Sequence, residues 1–96
     1  MPMGRQSSEL SVQAPHQRQG LEVRKIDEET VILDTQNERM HNLNSTAAFI
    51  FNSVDGARTL EQIWKDLAEG FEISLEVAEQ DTRNLVAQLR ELKLLE

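Results

Sequence analysis

Cysteine is absent from this 96-residue sequence, and aromatic side chains are scarce, with three phenylalanines and one tryptophan. The first absence excludes a disulfide framework and any thiolate metal site, and it fits a reducing compartment. The two histidines, His16 and His41, fall in unrelated segments, so neither has a second ligand at a useful metal-binding spacing. No apolar run approaches the ~20 residues that cross a bilayer. Residues 1–20 also lack the apolar stretch of a secretory signal, so a cytoplasmic location without a membrane partner is expected. There is no glycine-rich phosphate loop, no nucleophile–base–orienter set and no carboxylate pair marked out by spacing. Neither catalysis nor a cofactor is therefore expected. With 39% hydrophobic residues, a single domain of this length must build its core mainly from Leu, Ile and Val.

What is abundant is negative charge. The formal net charge is −7, and it is uneven: residues 1–20 set Arg5 and Arg18 against Glu9 alone. Residues 21–96 carry eight basic and sixteen acidic groups. Such a domain repels a phosphate backbone over about a Debye length, ~8 Å at physiological salt, so no nucleic-acid partner is expected. A basic peptide is steered towards it instead. The same acidity also serves plain solubility.

Residues 1–20 are rich in Gln and Ser, include Pro2 and Pro15, and show no sustained apolar period. They are expected to form a flexible N-terminal tail preceding a domain at 21–96. From Leu21 the pattern changes. Leu21 and Val23 alternate with Glu22 and Arg24, predicting a first strand that ends near Ile26. Thr30-Val31-Ile32-Leu33 is β-branched and apolar, a second strand. Asp34-Thr35-Gln36-Asn37 is turn chemistry, with Asn37 suited to positive φ. Arg39-Met40-His41-Asn42-Leu43 then returns as a third strand. Because side chains alternate, only one of Met40 and His41 can share a face with the helices.

The remainder reads as helical. Asn44 is a good N-cap for a first helix that stops at Val54-Asp55-Gly56, where Gly56 suits a C-terminal cap. Thr59 and Gln62 form a capping box for a second helix carrying Leu60, Ile63, Trp64, Leu67 and Ala68, closed by Gly70. Trp64 has the spacing of a buried anchor, with Glu61, Lys65, Asp66 and Glu69 on the solvated face. Ser74 caps the last and longest helix, in which Ala78, Leu85, Leu89 and Leu92 fall on one stripe flanked by Val77 and Val86. The predicted class is α+β: a winged helix-turn-helix-like arrangement of a three-stranded antiparallel sheet followed by three helices, which cover one sheet face.

Five motifs in register extend this reading. Val31-Ile32-Leu33-Asp34, Leu43-Asn44-Ser45-Thr46-Ala47-Ala48 and the connection Gly56-Ala57-Arg58-Thr59 resemble consecutive motifs of the PqqD-like family. That family comprises recognition elements for ribosomally made peptides. Ala78-Glu79-Gln80-Asp81 followed by Leu85 to Leu92 resembles its helix with an Asp near the start and a Leu-rich end. Leu92-Lys93-Leu94-Leu95 sits where members often have Leu-x-x-x-Gly-Leu-Leu, with the glycine missing here. Met40-His41 also stands where many members place an aromatic.

The resemblance implies a non-catalytic peptide chaperone. Such domains bind the leader of a precursor peptide as an added strand on the third strand, against the third helix, and present it to a modifying enzyme such as a radical S-adenosylmethionine enzyme. On that footing Arg39, Met40, His41, Asn42 and Leu43 supply the edge. Asp81, Leu85, Val86 and Leu89 supply the helix wall, although Leu43, Leu85 and Leu89 also read as plain core. Asp81 has two readings, a receiver for a cation on the peptide or a surface partner of Arg83 or Lys65. An open edge also permits self-pairing, so monomer and homodimer both remain. The rival functional class is winged-helix DNA binding. Against it, residues 76–93 set Glu76, Glu79, Asp81 and Glu91 against Arg83, Arg90 and Lys93, where a phosphate-binding helix needs excess positive charge. A protein–protein adaptor is the other alternative.

Overall fold

The computed structural model describes residues 14–96. Three strands, β1 (Leu21–Ile26), β2 (Glu29–Asp34) and β3 (Arg39–Leu43), form an antiparallel sheet in the order β1-β2-β3. Three helices follow: α1 (Ser45–Ser53), α2 (Leu60–Phe71) and α3 (Leu75–Glu91). This is the α+β order expected from the sequence, three antiparallel strands and then three helices.

The strands form where apolar alternation meets turn residues. Ile26 pairs with Glu29 across the two-residue turn Asp27-Glu28, and Asp34 pairs with Arg39 across residues 35–38. Positive φ falls on Asp27 at 58° and Glu38 at 53°, rather than on Asn37 as the composition suggested. Asn37 serves the turn through hydrogen bonds instead. Its side-chain Nδ2 donates to Asp34 Oδ2 at 2.9 Å, and its backbone N–H donates more weakly to Oδ1 at 3.4 Å.

Helix starts match the capping chemistry. Asn44 Oδ1 accepts from Ala47 N at 2.9 Å, and Ser74 Oγ accepts from Val77 N at 3.1 Å. Thr59 and Gln62 exchange both bonds of a capping box. Helix ends match less well. Val54 caps α1, while Gly56, at φ 83°, lies beyond it and donates its N–H to Pro15 O. Gly70 lies inside α2, whose cap is Glu72 in the left-handed region. At the end of α3 Lys93 takes φ 60°, its N–H donating to Arg90 O and that of Leu94 to Leu89 O. This is a Schellman turn built without glycine, at the position where the resembling family usually has one.

The core has two parts. Ile50, Val54, Ile63, Leu67, Ala78 and Val86 join the three helices, with Trp64 and Leu85 packed against them. Ile32, Leu43, Ala48, Phe51, Leu89 and Leu94 join the sheet to α1 and to the end of α3. The stripe on α3 runs through Ala78, Thr82, Val86 and Leu89, so Thr82 belongs to it and Val77 is exposed. Helix cover reaches β2 and the end of β3 but not β1, in which only Leu21 is even half-buried. Trp64 is half-buried rather than fully enclosed, with the Arg83 guanidinium 4.9 Å from its ring centroid.

The expected tail is corrected over residues 15–18; positions 1–13 lie outside the described residues. Pro15 is buried, and His16 O accepts from Glu96 N at 2.9 Å. Gln17 Nε2 donates to Phe51 O at 2.8 Å, and Arg18 N donates to Leu94 O at 2.9 Å. The segment is thus a strap laced between the end of α1 and the C-terminus. Composition missed it because its backbone and polar side-chain groups bond to partners far away in the chain, which local sequence does not advertise. Arg18 anchors the strap through an ion pair with Asp34, a carboxylate only 1% exposed. The Asn37 side-chain bond, opposed by burial and assisted by Arg18, holds this carboxyl below the usual range.

Two stability effects follow. Gly70 has no heavy atom within 4 Å of where a Cβ would stand, so Gly70→Ala should raise stability by about 0.5–1 kcal/mol in urea denaturation. Asp34→Asn should be less stable than the parent at pH 7. A depressed folded pKa means the carboxylate stabilises fully above its unfolded value, ~3.9, and loses that effect as pH falls through the folded one. The gap between the two proteins should therefore close in denaturation curves recorded from about pH 4 downwards.

Candidate functional site

Hydrogen-bond phase decides which edge groups are available. A two-residue turn closes on a pair that exchanges both backbone bonds, so Ile26 and Glu29 form such a pair. Alternation then turns the backbone groups of Glu29, Val31 and Leu33 towards β1, and those of Thr30, Ile32 and Asp34 towards β3. Their partners on β3 are Leu43, His41 and Arg39. The N–H and C=O groups of Met40 and Asn42 consequently point away from the sheet, along its outer edge. By the same count Leu21, Val23 and Lys25 present the opposite edge, on β1.

A cleft between the β1–β2 turn and α1 touches the edge strand β1 only at Lys25. Next to β3 lies a cleft of about 420 Å³, walled by Asn42, Leu43, Asn44, Thr46, Ala47 and Ile50 on one side. Asp81, Asn84, Leu85 and Gln88 of α3 form the other wall. Apolar side chains line part of it, and neutral amides and hydroxyls most of the rest. Its one formal charge is Asp81, which is exposed.

The structure distributes the sequence-predicted residues unevenly. Asn42, Leu43, Asp81 and Leu85 are brought together in the cleft. Val86 and Leu89 are not: each is 2% exposed and belongs to the core, because they lie on the buried side of α3. Met40 and His41 separate as alternation requires. His41 faces inward with Ile32, half-buried, and its Nε2 is buried with no hydrogen-bond partner among the described residues. Met40 points to the face away from the helices and is 65% exposed. Arg39 is exposed, outside the cleft lining.

Sequence reasoning missed Asn44, Thr46, Ala47, Ile50, Asn84 and Gln88. The last two were legible, since 81, 84, 85 and 88 follow the spacing of a single helix face. The α1 residues carried no such signal, because their access to the cleft depends on how α1 packs against α3. Among the described residues no group of three or more His, Asp or Glu is placed to hold a metal ion. No helix there is long and apolar enough to cross a membrane.

Fold and cleft together define a small α+β domain whose open sheet edge runs into a helix-walled groove. The chain belongs to the family of coenzyme PQQ synthesis protein D (PqqD), whose sequence model matches residues 29–95. No curated protein matches it. Among solved structures it resembles a lasso peptide synthetase B1 complexed with its leader peptide, at 25% identity and a TM-score of 0.77. That match covers 86% of this chain and 98% of the other. It also resembles the PqqD truncation of Methylobacterium extorquens PqqCD, a functional stand-alone recognition element for ribosomally synthesised and post-translationally modified peptides. Here identity is 25%, the TM-score 0.72, and coverage 85% and 87%. TbiB1 in complex with the TbiA(beta) leader peptide shares the fold, with a TM-score of 0.75 at 21% identity over 84% of this chain and 94% of the other.

The outward phase of Met40 has a direct consequence. Met40→Pro should cost less than about 1 kcal/mol, because the lost amide makes no ladder bond. His41→Pro should cost roughly 2 kcal/mol more, since it leaves a carbonyl of β2 unpaired. Urea denaturation of the two variants checks the assignment.

Proposed function

We propose that this chain is a recognition domain for the leader segment of a ribosomally made precursor peptide, bound as a fourth strand on β3. The observation that carries this reading is the continuity of the outward edge at Met40 and Asn42 with the cleft against α3. An added strand satisfies the open backbone groups, and its alternate side chains enter the cleft. The site contributes backbone pairing and surface contacts, and no chemistry of its own. The protein then acts by presenting the peptide to a separate modifying enzyme in the cytoplasm. Two of the similar structures hold leader peptides, which supports the peptide class.

The family association favours a radical S-adenosylmethionine enzyme as that partner. A lasso peptide synthetase B1 has a similar fold, so the fold alone does not choose the partner enzyme. Nucleic acid is a poor occupant of this cleft. α3 carries Glu76, Glu79, Asp81 and Glu91 against Arg83 and Arg90, and Arg83 is already paired with Glu79.

The test is an amide-shift titration of the full chain with the leader of any short precursor peptide encoded beside it, and separately with duplex DNA. Peptide should shift residues 39–44 and 81–88 while the exposed face of α2 stays quiet, and DNA should shift neither. Met40→Pro should weaken peptide binding about three- to tenfold through one lost edge hydrogen bond. Val23→Pro, on the other edge, should leave it unchanged. Equal affinity for Met40→Pro and the parent, or shifts centred on β1, would sink strand addition at β3.

A further inference from the structure

The leader-binding reading leaves open which peptides the cleft prefers, and Asp81 bears on that. The sequence offers Asp81 two neighbouring cations, and both are committed elsewhere. Arg83 Nε donates to Glu79 Oε2 at 2.9 Å, and its guanidinium stands 4.9 Å from the centroid of the Trp64 ring. Lys65 Nζ lies 3.4 Å from Glu61 Oε2. Among the described residues Asp81 makes no ion pair, although it is the one formal charge in the cleft lining. A lone carboxylate in a groove otherwise lined by neutral side chains attracts cations there, and the net charge of −7 adds to the attraction at longer range.

The spacing on α3 sets where a matching cation must sit. Asp81 and Leu85 are four residues apart on one helix face, a rise of about 6 Å. Side chains on one face of a strand recur every second residue, about 6.6–6.8 Å. An extended segment lying along this wall therefore sets one side chain against Leu85 and the side chain two positions away against Asp81. We propose that Asp81 is a specificity determinant, selecting leader peptides that carry Lys or Arg two positions from a large apolar residue. Leu85, half-buried like Ala47 across the cleft, receives the apolar side chain, and Asp81 receives the cation. This inference rests on the leader-binding reading.

The test uses a displayed library of random twelve-residue peptides, selected on the full chain and on its Asp81→Asn and Asp81→Arg variants. Asp81 is exposed and outside the core, so both variants should fold. The parent should enrich Lys or Arg two positions from a large apolar residue. Asp81→Arg should enrich Asp or Glu there instead, and Asp81→Asn should lose the charge preference; both should keep the apolar one. For a synthetic peptide of the parent's consensus, Asp81→Asn should lower affinity about three- to fivefold at low salt. That difference should shrink at 0.5 M salt, where screening shortens the reach of the pair. If parent and Asp81→Arg enrich the same peptides, and these still shift the Met40 and Asn42 amides, charge selection is overturned while leader binding stands. If no enriched peptide shifts those amides, the leader-binding reading falls and takes this inference with it.

Discussion

The phase of the sheet is set by the two-residue turn at Asp27-Glu28, and much of what this domain can do depends on it. The turn fixes Ile26 opposite Glu29, and alternation carries that choice across β2 into β3. A slip of one residue would turn Ile32 outward and move the accessible amides from Met40 and Asn42 to their neighbours. Ile32 prevents the slip, because it is fully buried against Phe51, Leu89 and Leu94. The hydrophobic core and the open edge at Met40 and Asn42 are therefore set by one register.

The C-terminus closes the same unit. Lys93 in a left-handed turn reverses the chain after α3 and drops Leu94 into the core beneath the sheet. The strap at residues 15–18 then pairs with that reversed segment, with Arg18 reaching the buried carboxylate of Asp34. Asp34 thus links the β2–β3 turn to the strap, so the hairpin whose second strand is the open edge beside the cleft is tied to both ends of the described chain. A buried carboxylate in this position needs both partners, since either alone would leave part of its charge uncompensated.

Local chemistry was read well from the sequence wherever a residue acts on its near neighbours. Asn44, Thr59 and Ser74 cap the helices they precede, and the strand at 39–43 has the bounds its alternation suggested. Glycine was a poorer guide. Gly56 and Gly70 were read as helix caps, yet Val54 and Glu72 hold those positions, and a lysine makes the last Schellman turn. Glycine marks where a left-handed turn is cheap; packing decides where one is required, and stabilises it on other residues. On α3 the family resemblance drew Val86 and Leu89 towards the cleft, and the helix turns both into the core, where the stripe had also placed Leu89. It also passed over Asn84 and Gln88, which share the face of Asp81 and Leu85.

By itself, then, the sequence determined the class of fold, the order of its elements and the motifs that place it in its family. These are properties of short spans, in which period, capping and turn chemistry act within a few residues. Only the tertiary structure decided that residues 15–18 are strapped to the domain, that Val86 lies behind the cleft while Leu85 lines it, and that Arg83 and Lys65 leave Asp81 alone. Each of those depends on which of several available partners a group meets in space. Charge and hydrogen-bonding capacity are written in the residue, but how they are committed is settled by the packing of elements distant in the chain.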